Sequence, residues 1–150
     1  MQMNDWLSNP GFVIYAITCL ALCGNLLFLW VYSGVKRGST KTSPNEEDVA
    51  RFGGSFTEID PLPIARILRA HSNAQATIYP FLVLGMVFIL AGGTRWTATI
   101  LFGTFTIARL LHSIMYLKAK QPWRTFFFVV GGLATIALML AIIWLMIRAA

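Results

Sequence analysis

Long apolar stretches alternate with short polar ones along this chain, and four of the apolar stretches are long enough to cross a lipid bilayer. They cover about residues 11–35, 62–91, 94–117 and 123–147. A helix needs about 20 apolar residues to cross the hydrocarbon layer, and lipid cannot pair the exposed backbone groups of an open strand. The pattern therefore predicts four transmembrane helices.

The polar links between these segments predict how the helices are connected. Residues 36–61 form the one long link, and Pro44 together with the Gly53-Gly54 pair predicts an irregular, solvent-facing loop there. The other two links contain only a few residues, so consecutive helices are expected to be antiparallel neighbours. The prediction is an all-α integral membrane protein, an up-down bundle of four transmembrane helices that forms a single domain over residues 1–150.

Composition agrees with a membrane protein. The 150 residues are 57% hydrophobic and 12% charged, whereas a soluble domain contains about 25% charged residues. The formal net charge of +6 is gathered on the side of the long loop, which holds most of the lysines and arginines. This favours anionic headgroups or an anionic cytosolic ligand over nucleic acid as the partner.

The same charge asymmetry predicts the orientation in the membrane. Lysine and arginine accumulate on the cytosolic side of membrane proteins, so the 36–61 loop and the 118–122 link are expected in the cytosol, with both termini outside. The short chain and the lack of a retention tail favour a bacterial inner membrane.

Acidic and basic residues are distributed differently with respect to the four apolar segments. All six acids lie outside them, whereas Arg109 falls well inside the third. A guanidinium at mid-membrane costs about 2.5–3.5 kcal/mol even on the lenient insertion scale and keeps its proton. It therefore needs an anion, water, backbone carbonyls or a loop acid such as Asp48.

Polar residues also follow helical spacing. Two stripes are evident, one in the second segment and one in the third: Arg66, Arg69, Asn73 and Ala76, and Arg109, His112 and Tyr116. If these stripes face each other, within one subunit or across a subunit boundary, they make a cationic pocket. Arg124 and Thr125 would add the positive N-terminal end of the fourth helix. Snorkelling to headgroups is the alternative for Arg66 and the lysines.

Two further interpretations concern chemistry at single residues. His112 is a candidate general base, although a hydrogen-bonding structural role is favoured for a lone helix histidine. No zinc spacing, P-loop or dinucleotide fingerprint is present, so no metal is expected.

Four segments in this order resemble a known family. They are NEEDVARFGG (45–54), RAHSNAQATIYPFLVLG (69–85), ARLLHSIMY (108–116) and PWRT (122–125). Together they resemble the membrane-associated proteins in eicosanoid and glutathione metabolism, the MAPEG family, in its branch of microsomal prostaglandin E synthases and glutathione transferases. The resemblance covers about residues 35–128.

The resemblance implies a homotrimer that holds glutathione as a co-substrate between neighbouring subunits near the cytosolic face, without a metal. The positions that match glutathione-binding residues of the family are Arg37, Arg69, Asn73, His112, Tyr116, Arg124 and Thr125. Among these, Arg124 matches the arginine that stabilises the thiolate, and Thr125 retains a hydroxyl. Asp48 matches a loop acid with a catalytic role in some members.

The chain departs from the family at three positions. Ser72 stands where relatives have an arginine, Ala76 where they have a glutamate that meets glutathione, and Phe128 where they have a tyrosine. Two functions are therefore weighed. The first is a glutathione-dependent transferase or peroxidase whose thiolate attacks a lipophilic electrophile or peroxide dissolved in the bilayer. The second is a non-enzymatic membrane protein of the same fold that binds lipid or a partner protein.

Overall fold

In the computed structural model, which describes residues 6–149, the apolar segments form four long helices. The helices are α1 (Pro10–Thr40), α3 (Leu62–Leu90), α4 (Arg95–Leu117) and α5 (Trp123–Ala149), with the short helix α2 (Glu46–Phe52) in the loop between α1 and α3. Each of the four is long and apolar enough to cross a membrane. The predicted bundle of four transmembrane helices is confirmed.

The link between α1 and α3 is more regular than the sequence pattern predicts. α1 continues to Thr40, and the link then forms β1 (Thr42–Ser43), α2 (Glu46–Phe52) and β2 (Ser55–Phe56). The two short strands pair in parallel. Three acids occupy the first turn of α2, where the helix dipole stabilises negative charge. Because the link contains a helix and two short strands, the prediction of an irregular loop is wrong for these residues.

The four long helices do not all contact one another. α4 contacts all three of the others, and α1 and α5 each pack against α3 and α4. Within the described part of the chain, α1 and α5 do not contact each other. The two helices therefore lie on opposite sides of the α3–α4 pair, which matters for the site below.

Aromatic packing holds the half of the bundle that lies away from the long loop. The Tyr15 hydroxyl of α1 donates to the Leu82 carbonyl of α3 at 3.0 Å, and the Tyr15 ring lies 5.9 Å from that of Phe102. A Cβ at Gly85 would lie 3.0 Å from the Tyr15 ring, so a larger residue here would require the ring to shift by a few tenths of an ångström. Large apolar side chains cover the outer helix faces, as expected for faces in contact with lipid.

Candidate functional site

The half of the bundle next to the long loop contains buried polar side chains. The Asn25 amide donates to the Ser113 hydroxyl at 3.1 Å, joining α1 to α4. Arg109 is only 1% exposed, and its Nη2 donates to the Asn73 side-chain oxygen at 2.6 Å and to the Asn73 backbone carbonyl at 3.4 Å. The polar stripes of α3 and α4 therefore meet at Arg109, and its partner is an amide, not Asp48.

Small residues and an aromatic ring make room for the Arg109 side chain. A Cβ at Gly131 of α5 would lie 3.2 Å from the Arg109 Cδ atom. The Phe128 ring, one turn earlier on α5, has its centroid 6.0 Å from the guanidinium carbon. The sequence of α5 thus places a glycine where the arginine stem passes and an aromatic face beside the charge.

A second cluster joins the last turns of α4 to the first turns of α5. The His112 ring packs edge-on against Tyr116 at 5.6 Å and lies 5.9 Å from Phe128. The Arg124 guanidinium carbon lies 4.8 Å from the centroid of the Tyr116 ring. His112 is buried, and its neighbours here are aromatic rings.

Gln121, in the link before α5, makes hydrogen bonds with both Arg124 and Thr125. In the amide orientation that satisfies both neighbours, its oxygen lies 2.7 Å from Nη2 and 3.2 Å from Nε of Arg124, and its nitrogen donates to the Thr125 hydroxyl at 3.1 Å. Arg124 and Thr125 are thereby held side by side at the start of α5. Between residues 6 and 149 the one ion pair is Arg37–Asp60, so Arg124 has no carboxylate partner in that range.

This geometry suits an anion. A guanidinium without a carboxylate, a hydroxyl and the positive end of a helix converge at the start of α5. A bound thiolate in this place would be stabilised relative to the thiol, because a cation in contact favours the charged form.

Arg37 and Asp48 lie elsewhere, on the α1 side of the bundle. Nε and Nη2 of Arg37 donate to both Asp60 carboxylate oxygens at 2.9–3.1 Å. Asp48 accepts hydrogen bonds from the Ser43 hydroxyl at 3.1 Å and the Asn45 amide at 3.0 Å. Arg37 and Asp48 both line a cavity of about 630 Å³ between the end of α1 and α2.

Arg69 completes the set of residues predicted from the sequence. It is exposed on α3, one turn before Asn73, and makes no polar contact with residues 6–149. A single copy of the chain therefore brings together His112, Tyr116, Arg124 and Thr125, and joins Asn73 to Arg109. It does not bring Arg37 and Asp48 to the α5 side, since neither α1 nor α2 contacts α5 within the described residues.

Arg109 was predicted as part of the polar stripe of α4, although it is not among the glutathione-binding positions that the resemblance implies. Asp60 and Gln121 were not predicted, since each meets its partner from a link. No group of three or more potential metal ligands occurs within residues 6–149.

Comparison with known proteins shows which family this chain is related to. Prostaglandin E synthase of Equus caballus is 35% identical over 135 residues, which cover 86% of this chain and 88% of that protein. The human prostaglandin E synthase is 35% identical over 136 residues, covering 86% and 89%. Microsomal glutathione S-transferase 1 of Rattus norvegicus is 34% identical over 143 residues, covering 91% and 90%. The model of the MAPEG family matches residues 15–144, and the chain belongs to the MAPEG family.

Proposed function

We propose that this protein is a glutathione-dependent membrane transferase, with peroxidase activity toward lipophilic peroxides. The observation that carries the proposal is the setting of Arg124. Its guanidinium is fixed over the Tyr116 ring and against the Gln121 amide, beside the Thr125 hydroxyl, with no carboxylate partner among the described residues. The names of the relatives, a glutathione transferase and prostaglandin E synthases, support the same class of chemistry.

The chemistry begins with the thiol of glutathione. A free thiol has a pKa of about 8.5 and is mostly protonated at neutral pH. Contact with Arg124 and a hydrogen bond from Thr125 lower that pKa, and each unit is worth about 1.4 kcal/mol. The thiolate then forms a bond to an electrophilic carbon, and the leaving group departs with the bonding electrons. With a peroxide the thiolate forms a bond to the terminal oxygen while the O–O bond breaks, and the alkoxide leaves and is protonated to the alcohol. The thiol of a second glutathione then attacks the sulfur of the resulting sulfenic acid, which gives the disulfide and releases the oxygen as water.

Other residues of the cluster hold the peptide. Arg69 is exposed and without a polar partner within residues 6–149, so its planar donors are available to a ligand carboxylate. The Asn73 side-chain oxygen already accepts a hydrogen bond from Arg109, so its NH₂ group is left to donate to a peptide carbonyl. Tyr116 and His112 shape the wall beside the sulfur. Arg37 can bind a carboxylate of glutathione only if its ion pair with Asp60 is broken.

A homotrimer is part of this proposal. The α1 side of a subunit carries Arg37 and Asp48 and the α5 side carries Arg124 and Thr125, while α1 and α2 do not contact α5 in the described part of the chain. A second copy whose α1 side approaches α5 of the first would complete the site. The cytosolic placement of both loops, with the termini outside and in a bacterial inner membrane, remains a prediction. Glutathione would then enter from the cytosol and the co-substrate from the lipid.

The test compares two arginines of the same helix. Arg124→Ala is measured against Arg148→Ala, because Arg148 also stacks on a ring, that of Trp144 at 5.2 Å, at the opposite end of α5. Conjugation of glutathione to an aryl halide and reduction of an organic hydroperoxide are followed in detergent from pH 6 to 10. We expect Arg124→Ala to lose at least tenfold in rate at pH 7, with its pH profile moved toward the free thiol, and Arg148→Ala to stay within twofold. Wild-type rates for Arg124→Ala would end the thiolate assignment.

Two features favour the non-enzymatic alternative, a lipid- or partner-binding membrane protein. Arg37 is already neutralised by Asp60, and Ala76 replaces a glutamate of the family. Titration calorimetry with glutathione separates the two functions, because the alternative gives no binding heat at millimolar ligand, whereas the proposed enzyme does.

A further inference from the structure

A cavity of about 350 Å³ lies where α1, α3 and α4 meet, at the end of the bundle next to the long loop. Its walls combine two cations and a phenol with apolar side chains. The lining residues include Tyr32, Lys36, Leu62, Arg66, Ile67 and Leu117. None of them is among the glutathione-binding positions that the resemblance implies.

This cavity is separate from the one that contains Arg37. Lys36 and Arg37 are consecutive residues of α1, and consecutive helix residues lie about 100° apart around the axis. Arg37 pairs with Asp60 and lines the cavity beside α2, whereas Lys36 shares its cavity with Arg66. All the walls of the second cavity come from a single copy of the chain, so it does not depend on a subunit boundary.

The two cations of the wall are held without a carboxylate. Lys36 and Arg66 are half-buried, and neither forms an ion pair with an acid between residues 6 and 149. The Lys36 ammonium lies 5.8 Å from the centroid of the Tyr32 ring, and that ring stacks on Phe28 at 5.7 Å. Two like charges that share a cavity repel each other unless an anion lies between them.

The beginning of α3 adds positive potential to the same wall. Leu62 and Pro63 line the cavity and are the first two residues of the helix. The first turn contains no acid, and Pro61 at the N-cap makes no side-chain hydrogen bond. No side chain of this turn therefore offsets the positive end of the helix dipole.

The cavity lies at the boundary between apolar and polar sequence. The apolar segment of α1 ends at Val35, that of α3 begins at Leu62 and that of α4 ends at Leu117. In a membrane this boundary falls at the headgroup layer, where tyrosine is enriched and where long cationic side chains place their charges. The phosphate groups of phospholipids occupy the same layer.

We infer that this cavity binds the phosphate of an anionic phospholipid between Lys36 and Arg66. The glycerol and the first acyl carbons of the lipid then lie against Leu62 and Leu117. Two cations without an acid match a ligand of net negative charge, whereas a zwitterionic lipid brings a cation of its own into the cavity. The apolar wall favours a lipid over free phosphate, a strongly hydrated ion that gains nothing from contact with leucine. The inference does not rest on the proposed function.

The experiment uses the full chain in dodecyl maltoside, with protein-free micelles subtracted. Titration calorimetry compares dioctanoyl phosphatidylglycerol with dioctanoyl phosphatidylcholine, which has the same chains and phosphate but no net charge. We expect phosphatidylglycerol to bind at least tenfold more tightly at low salt. Equal affinities would overturn the inference, since an apolar groove alone would then explain the binding.

Matched double variants separate the cavity from the general charge of this end of the bundle. Lys36→Gln with Arg66→Gln removes two cations from the cavity, and Lys118→Gln with Lys120→Gln removes two exposed cations from the neighbouring link. We expect the first pair to abolish the preference for phosphatidylglycerol and the second pair to keep it within twofold. Equal losses would show that only the total charge is sensed, and would overturn the inference.

Two single variants keep the test valid if the first double variant does not fold. Arg66→Lys retains the charge and should bind phosphatidylglycerol within threefold of the wild type. Arg66→Gln removes the charge and should bind it at least fivefold more weakly. Equal affinities of the two variants would contradict a role for the Arg66 charge.

Two competitors identify the source of the anion. At constant ionic strength, millimolar inorganic phosphate should not displace phosphatidylglycerol, and displacement would assign the cavity to a soluble phosphate instead of a lipid. Saturating glutathione should leave the lipid affinity unchanged, and competition would show that the two sites are one. If glutathione gives no heat while the lipid preference persists, the proposed function fails and the lipid site stands.

Discussion

The hydrogen bond between Asn73 and Arg109 gives the most direct test of how the buried charge is held. Asn73→Ala removes the side-chain oxygen that accepts from Nη2 at 2.6 Å and leaves only the Asn73 backbone carbonyl at 3.4 Å. Arg109 is 1% exposed, so bulk water does not replace the lost partner. A hydrogen bond to a charged group contributes about 1.5–3 kcal/mol, and a loss of that size is expected here.

This loss should be visible as a lower melting temperature. In a protein of this length, 1 kcal/mol corresponds to about 2–4 °C, so Asn73→Ala is expected to melt about 3–12 °C below the wild type by the same scale. Intrinsic tryptophan fluorescence in a mild detergent follows the transition. Ser72→Ala is the control, because Ser72 is the exposed neighbour on the same helix, and this variant should melt within about 2 °C of the wild type.

A double-mutant cycle isolates the interaction. In the Arg109→Leu background the buried charge is gone, so Asn73→Ala should cost less than a third of what it costs in the wild type. Two results would refute the reasoning. One is a wild-type melting temperature for Asn73→Ala, and the other is an equal loss in both backgrounds, which would mean that Asn73 acts independently of Arg109.

Further substitutions test the glycine beside the Arg109 stem and the ion pair of Arg37. Gly131→Leu should lower the free energy of unfolding by about 1–3 kcal/mol, because it overpacks against the Arg109 stem. Gly132→Leu is its control and should change thermal stability little, because a Cβ there would meet nothing within 4 Å. Equal effects of the two variants would show that the Gly131 contact is unimportant. Asp60→Asn removes a half-exposed ion pair, so stability should fall by less than about 1 kcal/mol, while glutathione affinity measured by calorimetry rises because Arg37 is released. An unchanged affinity would remove Arg37 from the glutathione site.

The sequence predicts the fold well because the bilayer leaves few alternatives. Backbone groups in lipid must pair within one segment, so an apolar run of sufficient length indicates a helix whatever its neighbours are. The end of α1 shows the limit. The polar residues after Val35 suggest a loop, yet the helix continues to Thr40. The Ser39 and Thr40 hydroxyls donate to the carbonyls of Lys36 and Arg37 in its last turn, and Lys41 ends it in a left-handed conformation at φ 50°.

Side-chain partners are harder to predict than the stripes that carry them. Helical spacing places Arg109, His112 and Tyr116 on one face of α4, and the structure shows that face meeting α3 and α5. Periodicity carries no information about partners that come from links. Asp60 reaches Arg37 across 23 residues of sequence, and Gln121 bonds Arg124 and Thr125 from the link that precedes α5.

The three inward-facing arginines differ in what compensates their charge. Arg37, at the exposed end of α1, is 31% exposed and has a carboxylate, whereas the neutral Gln121 amide and Tyr116 ring hold Arg124, and the Asn73 amide holds the buried Arg109. An amide or a ring orients a guanidinium without cancelling its charge, and a fixed carboxylate would compete with any anionic ligand. In a bundle whose acids all lie outside the apolar segments, this choice of partners leaves the deeper cations oriented and still positive, which is the condition that a binding site for exchangeable anions requires.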